Sequence, residues 1–190
     1  MISARTPLLL AAALAATLAL ASCAGTATTD TAASSDAAAF NDADVTFAQM
    51  MIPHHEQAVE MSDDLLAKDG IDPAVVTLAT EIKAAQEPEI TQLKDWLTEW
   101  NADENSMSGM GDGSDGMMTA DDMTALQDAS GSAASELFLE QMTAHHEGAV
   151  ANAQIEVDNG SNADAQALAE NIVATQTAEI AVMADLLAAR

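Results

Sequence analysis

The sequence predicts an all-α protein, a four-helix bundle made of two repeated helical hairpins. Three observations predict it. Apolar residues recur at helical spacing over four long segments, each bounded by capping residues. No segment of useful length alternates apolar and polar residues as a half-buried strand would. A block of the first half also returns, in register, in the second.

Each element has a local reason. Asp44 is positioned to cap a first helix running to Lys68, and Gly70 to end it. Asp72-Pro73 sets a capping carboxylate before a proline at the first helical position, where its missing N–H costs nothing, and opens a second helix to about Trp100. Residues 101–119 read as a Met-rich loop, after which Thr119 and Asp122 open a short helix with the spacing of a capping box. A long helix is expected from about Ser132 to Asp158, ended by Asn159-Gly160, and a last one from Asn162 to Ala189. Pro53 and Pro88 fall inside predicted helices, where each removes a backbone hydrogen bond and should bend the axis. The second half has Ala144 and Ala178 at the equivalent places, so helix stands as the expectation.

The repeat matches Phe47, Met51, His54-His55-Glu56 and Ala58-Val59 with Phe138, Met142, His145-His146-Glu147 and Ala149-Val150. Downstream, Gln86, Glu89 and Ile90 match Gln176, Glu179 and Ile180. The repeated unit is therefore a helix pair. One such hairpin is too thin to bury its own apolar face, and two packed together give a bundle with approximate twofold symmetry. All four histidines of the chain then occupy equivalent places in the two halves.

Ahead of the bundle, residues 1–22 carry Arg5 and an apolar run from Leu8 to Ala21, shorter than a comfortable membrane span. The run ends at Leu20-Ala21-Ser22-Cys23, and Cys23 is the single cysteine. This resembles a bacterial lipoprotein signal, which implies cleavage before Cys23, lipidation of its thiol, and a domain held outside the cytoplasmic membrane by a lipid anchor. Residues 23–41 are mainly Ala, Thr, Ser and Asp and read as a flexible tether, with the folded part, 42–190, starting near Asp42. Charge narrows the partners further. Lys and Arg number 5 against 31 Asp and Glu, and a net charge of −26 repels nucleic acid and favours cations.

At about 100° per residue, Phe47, Met51, His54, Ala58, Met61 and Leu65 share one helix stripe, with His55 at its edge and Glu56, Glu60 and Asp63 turned away. Adjacent histidines diverge, but Met51 is within one turn of both. Across a symmetric core His54 and His145 approach each other, with Met51 and Met142 beside them. Imidazole nitrogen suits copper, zinc, iron and nickel, and thioether sulfur beside it in an apolar shell selects for Cu(I). The metal ligands expected on this reading are Met51, His54, His55, Met142, His145 and His146. In the loop, Met107, Met110, Met117 and Met118 sit among Gly, Ser and Asp where no core demands them. Two readings stay open for them: a mobile thioether clamp for Cu(I), or a cap folded over the end of the bundle.

These residues resemble the bacterial DUF 305 family (domain of unknown function 305), whose mark is a doubled Met-x-x-His-His-Glu, each copy followed by Gln-x-x-Glu-Ile. The likeness covers about Asp42 to Leu187. It implies a ferritin-like four-helix bundle, often exported, with some members implicated in copper binding and tolerance, and the cofactor expected here is copper, as Cu(I), Cu(II) or both. The motif falls on Met51, His54, His55 and Glu56 and on Met142, His145, His146 and Glu147. The resemblance also makes Glu56, Glu147, Gln86, Glu89, Gln176 and Glu179 candidates for orienting the imidazoles. The chain departs from full symmetry at Gln141 and Asn152, which stand where the first copy has Met50 and Met61.

A di-iron oxidase needs Glu-x-x-His pairs, and neither copy has a Glu three residues before a histidine. No nucleophile–base pair or phosphate loop is present either, so a binding protein is expected and not an enzyme. The competing class is a structural or partner-binding bundle that holds no metal, its histidines serving as buried polar contacts.

Overall fold

The computed structural model describes residues 39–104 and 116–190. Among them are five helices: α1 (Asp42–Leu66), α2 (Pro73–Glu99), α3 (Ala120–Asp128), α4 (Gly131–Asn159) and α5 (Ala163–Ala188). Helices α1 with α2, and α4 with α5, form the two hairpins, which meet principally through α1 and α4. The bundle is the one the repeat predicts, with α3 added against α1 and α4. The expected signal segment and Cys23, and all of the expected tether before Ala39, lie outside the described residues.

The start of α1 corrects the sequence reading. Asn41, not Asp44, is the cap: its side chain accepts the N–H groups of Ala43 and Asp44, while the Asp44 carboxylate takes the N–H of Asn41. That closed capping box leaves Asp44 one turn inside the helix and buried. Packing also begins ahead of Asp42, because Phe40 stacks on Trp100 at 5.1 Å and Trp100 on Trp96 at 5.8 Å. At the other end α1 stops at Leu66, short of Lys68, as the Lys68 N–H tightens onto Leu65 O. The Thr119–Asp122 box and the Asp72 cap before Pro73 form as their sequences predict. Both internal prolines sit on exposed faces, and α1 and α2 continue through them. A solvent-side proline leaves its orphaned carbonyl to water, which is why the helix survives there.

The core has two apolar clusters, each built from both hairpins. One joins Phe47, Met51, Leu93 and Leu97 with Ala149, Ala153, Leu168 and Ile172. The other joins Met61, Leu65, Leu78 and Ile82 with Phe138, Leu139, Met142 and Met183, and adds Leu126 from α3. The start of α1 thus packs against the latter part of α4, and its end against the start of α4. The two helices run antiparallel past a pseudo-twofold axis, and the histidines lie between the clusters. No described helix is long and apolar enough to cross a membrane.

Candidate metal centre

The four imidazoles form a buried polar layer between the two apolar clusters. His54 and His145 meet at the axis with ring centroids 3.8 Å apart and planes tilted by 49°. Met51 and Met142, both fully buried, belong to opposite clusters and stand one helical turn before His54 and His145. His55 and His146 turn outward to the second helix of their own hairpins. His55 Nε2 lies 2.7 Å from Glu89 Oε2 and His146 Nε2 lies 2.7 Å from Glu179 Oε2.

Those two contacts fix the chemistry of the outer imidazoles. A carboxylate partner accepts from a protonated Nε2, so in the neutral ring the lone pair falls on Nδ1. In both residues Nδ1 is buried and has no hydrogen-bond partner. At the axis, neither nitrogen of His145 makes a hydrogen bond of good geometry, although the His54 backbone acts weakly on the ring. Burial, and then the neighbouring His54, His146 and His55 rings, push the His145 pKa well below the ordinary histidine value. It is therefore a neutral base inside the protein. Leaving a buried nitrogen unpaired costs about 1–3 kcal/mol, and a metal is one species that satisfies such lone pairs, with the carboxylates orienting the rings from behind.

The remaining candidates divide. Gln86 and Gln176 are buried one turn before Glu89 and Glu179, and each has an Oε1 without a partner. Glu56 and Glu147 are not brought to the imidazoles: both are exposed, and Glu56 instead pairs with Lys94 at 2.6 Å. They follow the histidines by one or two residues, which turns them to the opposite face. Among the described residues, no three His, Cys, Asp or Glu side chains converge closely enough to form a metal site by themselves.

The end of the Met-rich loop lands beside this layer. Gly116, at φ +81°, lies so close to Ala144 O and the backbone of Gly148 that a Cβ would collide with both. Across the seam, Gln57 brackets the backbone of Met118, accepting its N–H at 2.7 Å and donating to its carbonyl at 2.9 Å. Met117 and Met118 are partly buried, and Met118 packs on the second apolar cluster. Met107 and Met110 lie outside the described residues. The Gly116–Gly148 contact escapes sequence reasoning, although Gly148 standing where the first repeat has Gln57 was its one visible sign.

Sequence reasoning also missed a buried acid pair at the end of the bundle. Asp44 accepts the N–H groups of Ser161 and Asn162 as well as that of Asn41. Burial pushes its carboxyl up, but these N–H groups and a hydrogen bond from Glu156 outweigh it and hold the pKa below the ordinary value. Burial first, and then the hydrogen bond and charge of Asp44, push Glu156 up to about 8. Glu156 is therefore held mainly protonated at neutral pH beside the Asp44 carboxylate. Glu156 occupies the repeat position of Leu65, so a carboxyl on an apolar stripe was the signal available.

Comparison with known proteins decides the family. The model of the domain of unknown function DUF305 matches residues 44–187. The chain belongs to the DUF305 family. A DUF305 protein from Streptomyces coelicolor, thought to be secreted, is 37% identical, with 77% of this chain and 92% of that one covered and a TM-score of 0.71. A DUF305 fragment from Deinococcus radiodurans is 28% identical over 79% of this chain and 98% of its own, at a TM-score of 0.72. CopM in its Cu(II)-bound form is 32% identical, with 76% and 95% covered and a TM-score of 0.66. The same protein has been crystallised with Cu(I) and with silver. No curated relative matches the chain at a significant level.

Proposed function

We propose that this DUF305 chain is an exported copper-binding protein, lipid-anchored through Cys23, that carries the ion as cargo and is not an enzyme. The observation that carries the proposal is the layer of buried imidazoles, two paired with Glu89 and Glu179 and two preceded by Met51 and Met142 at one helical turn. Imidazole nitrogens, with His145 kept neutral by burial, next to thioethers form a donor set for Cu(I), with Cu(II) served by the imidazoles. CopM, a structural relative crystallised with Cu(I), Cu(II) and silver, supports copper over zinc or iron. On this reading His54, His55, His145 and His146 with Met51 and Met142 hold the ion, and the Met-rich loop, with Met107, Met110, Met117 and Met118, offers it a first thioether contact. Extracytoplasmic location draws support from the secreted assignment of the Streptomyces relative.

The test is thermal unfolding during titration with Cu(II), and with Cu(I) kept reduced. A ligand bound only by the folded state raises its melting temperature. Copper should do so for the wild type, and His54→Ala and His145→Ala should each abolish most of the rise. No copper-dependent stabilisation, or one that both variants retain, would leave a metal-free bundle as the better account. That competing reading has one observation behind it, the close ring contact of His54 and His145, which serves packing as well as ligation.

A further inference from the structure

The pseudo-twofold axis creates two copies of the groove between α1 and α4, and α3 covers one of them. There Leu126 is fully buried in the cluster that holds Met61, Leu65 and Phe138. Gln141 donates to Asp122 O at 2.9 Å, and Gln127 donates to Asp64 at 3.0 Å, so side chains from both groove walls grip the helix. In the repeat, Met61, Asp64, Leu65, Phe138 and Gln141 correspond to Asn152, Ile155, Glu156, Phe47 and Met50. Those five equivalents, together with Asp42, Ala43 and Thr46, line an open cleft of about 300 Å³. Ile155, at its edge, is 58% exposed.

Charge separates the two grooves. Asp42 and Glu156 stand in the open copy where the covered copy has Ala133 and Leu65. The described cations are all bonded elsewhere: Lys68 to Gln127 O, Lys83 to Asp63, Lys94 to Glu56 and Arg190 to Asp72. Among the described residues, none therefore neutralises this end of the molecule.

We propose that the open cleft is a docking site for a short amphipathic helix of a basic partner protein. The covered groove supplies the template for shape, a helix of about two turns with one aliphatic side chain seated as Leu126 is. Exposed Asp42 and the acidic balance of the chain supply the sign, with Lys or Arg of the partner set against Asp42. A second copy of this chain is the poorer occupant, since two molecules of charge −26 would have to meet through an acidic cleft. A contact this small belongs to transient encounters, for which complementary charge governs capture.

The test follows methyl resonances of Met50 and Ile155 in the full chain during titration with three peptides. The first has the sequence of residues 119–130. The second carries Asp121→Lys and Asp128→Lys and keeps the Thr119–Asp122 cap, and the third is a scrambled version of the second. The second peptide should shift both residues and bind roughly fivefold more tightly than the first, because two repelled carboxylates are replaced by cations facing Asp42, with the advantage shrinking in 0.5 M salt. Asp42→Ala should reduce that advantage. Four results would overturn the proposal. The scrambled peptide binding equally, or no shift at Met50 and Ile155, would show that the groove selects nothing. Self-association of the chain alone, mapped to these residues, would identify a second copy as the occupant. Binding that appears only after removal of the residues before Ala39 would show the cleft filled by the chain itself.

Discussion

Near the axis the two hairpins are copies down to the distance: His55 meets Glu89 at 2.7 Å and His146 meets Glu179 at 2.7 Å. At the helix ends the same two hairpins solve one problem differently. Ser135 Oγ accepts the N–H of Asp72 at 3.1 Å, whereas the equivalent Asp44 accepts from Asn41, Ser161 and Asn162 and lies beside the buried Glu156 carboxyl. Position relative to the axis accounts for the contrast. A side chain at the axis packs against its own counterpart, so a change on one side disturbs the other. A side chain at a helix end meets only its local turn and groove, and each half is free to meet that need with different residues.

Removing the equivalent phenylalanines gives the largest test of this contrast. Phe138 is fully buried in the cluster that α3 completes, while Phe47 lines the open cleft. Phe138→Ala should cost about 3–5 kcal/mol in urea unfolding. Phe47→Ala should fall at or below the lower end of that range, because neighbouring side chains and water can enter from the cleft. Equal losses would mean that α3 adds nothing to the packing of its groove.

The acid pair gives the next largest effect, through pH. The folded pKa of Glu156, about 8, lies above its ordinary value of 4.5, so between those limits the folded state holds a proton that the unfolded chain releases. The contribution of Glu156 is fully present below pH 4.5 and is lost as pH rises to 8, with a slope of at most about 1.4 kcal/mol per pH unit. Asp44 acts in the opposite sense: its lowered pKa adds stability that is lost as pH falls below 3.8 toward its folded value. Glu156→Leu, which installs the residue of the other half, should flatten the decline between pH 5 and 8. A decline that persists unchanged would assign it to other groups.

Most of this architecture was legible in the sequence because repeats, caps and periodicity are local signals. The hairpins, the Asp72 and Thr119 caps and the approach of His54 to His145 all follow from spacing within a helix or from symmetry between helices. What stayed hidden depends on contacts between distant segments. Asp44 looks like a helix cap until the α4–α5 turn supplies two further N–H donors. The outward turn of Glu56, by contrast, was legible from helical rotation, and it overrules for Glu56 and Glu147 the orienting role that the family resemblance implied. The partial burial of Met118 depends on Gln57 and on the Gly116–Gly148 approach, none of which a loop sequence reveals.

For the centre itself, the twofold arrangement makes a prediction about equality. Glu89→Gln and Glu179→Gln should each weaken copper binding by about 10–100-fold, the usual consequence of losing a carboxylate behind a ligating imidazole. The two losses should agree within a few-fold, since both residues make the same 2.7 Å contact in the two halves. Competition titration against a copper chelator measures both. A large loss from one and none from the other would show that the ion is bound by a single hairpin and that the symmetry is only structural.

The smallest expected effect is on the outer surface, where the halves differ most in sequence. Lys94 on α2 pairs with Glu56 on α1 at 2.6 Å, and this hydrogen bond, the first of its causes, raises the Lys94 pKa. The equivalent residues of the second hairpin are Ala184 and Glu147, so no such pair exists there. If ion pairs held the hairpins together, the first would be measurably stronger than the second. Exposure argues otherwise: both side chains are more than a third accessible, and a pair of this kind contributes about 0.2–0.5 kcal/mol, less in high salt. Lys94→Ala should therefore leave the urea midpoint nearly unchanged, and 0.5 M sodium chloride should erase what difference remains. A loss above about 1 kcal/mol that survives salt would mean that the stem of Lys94 covers apolar surface that the second hairpin protects by other means.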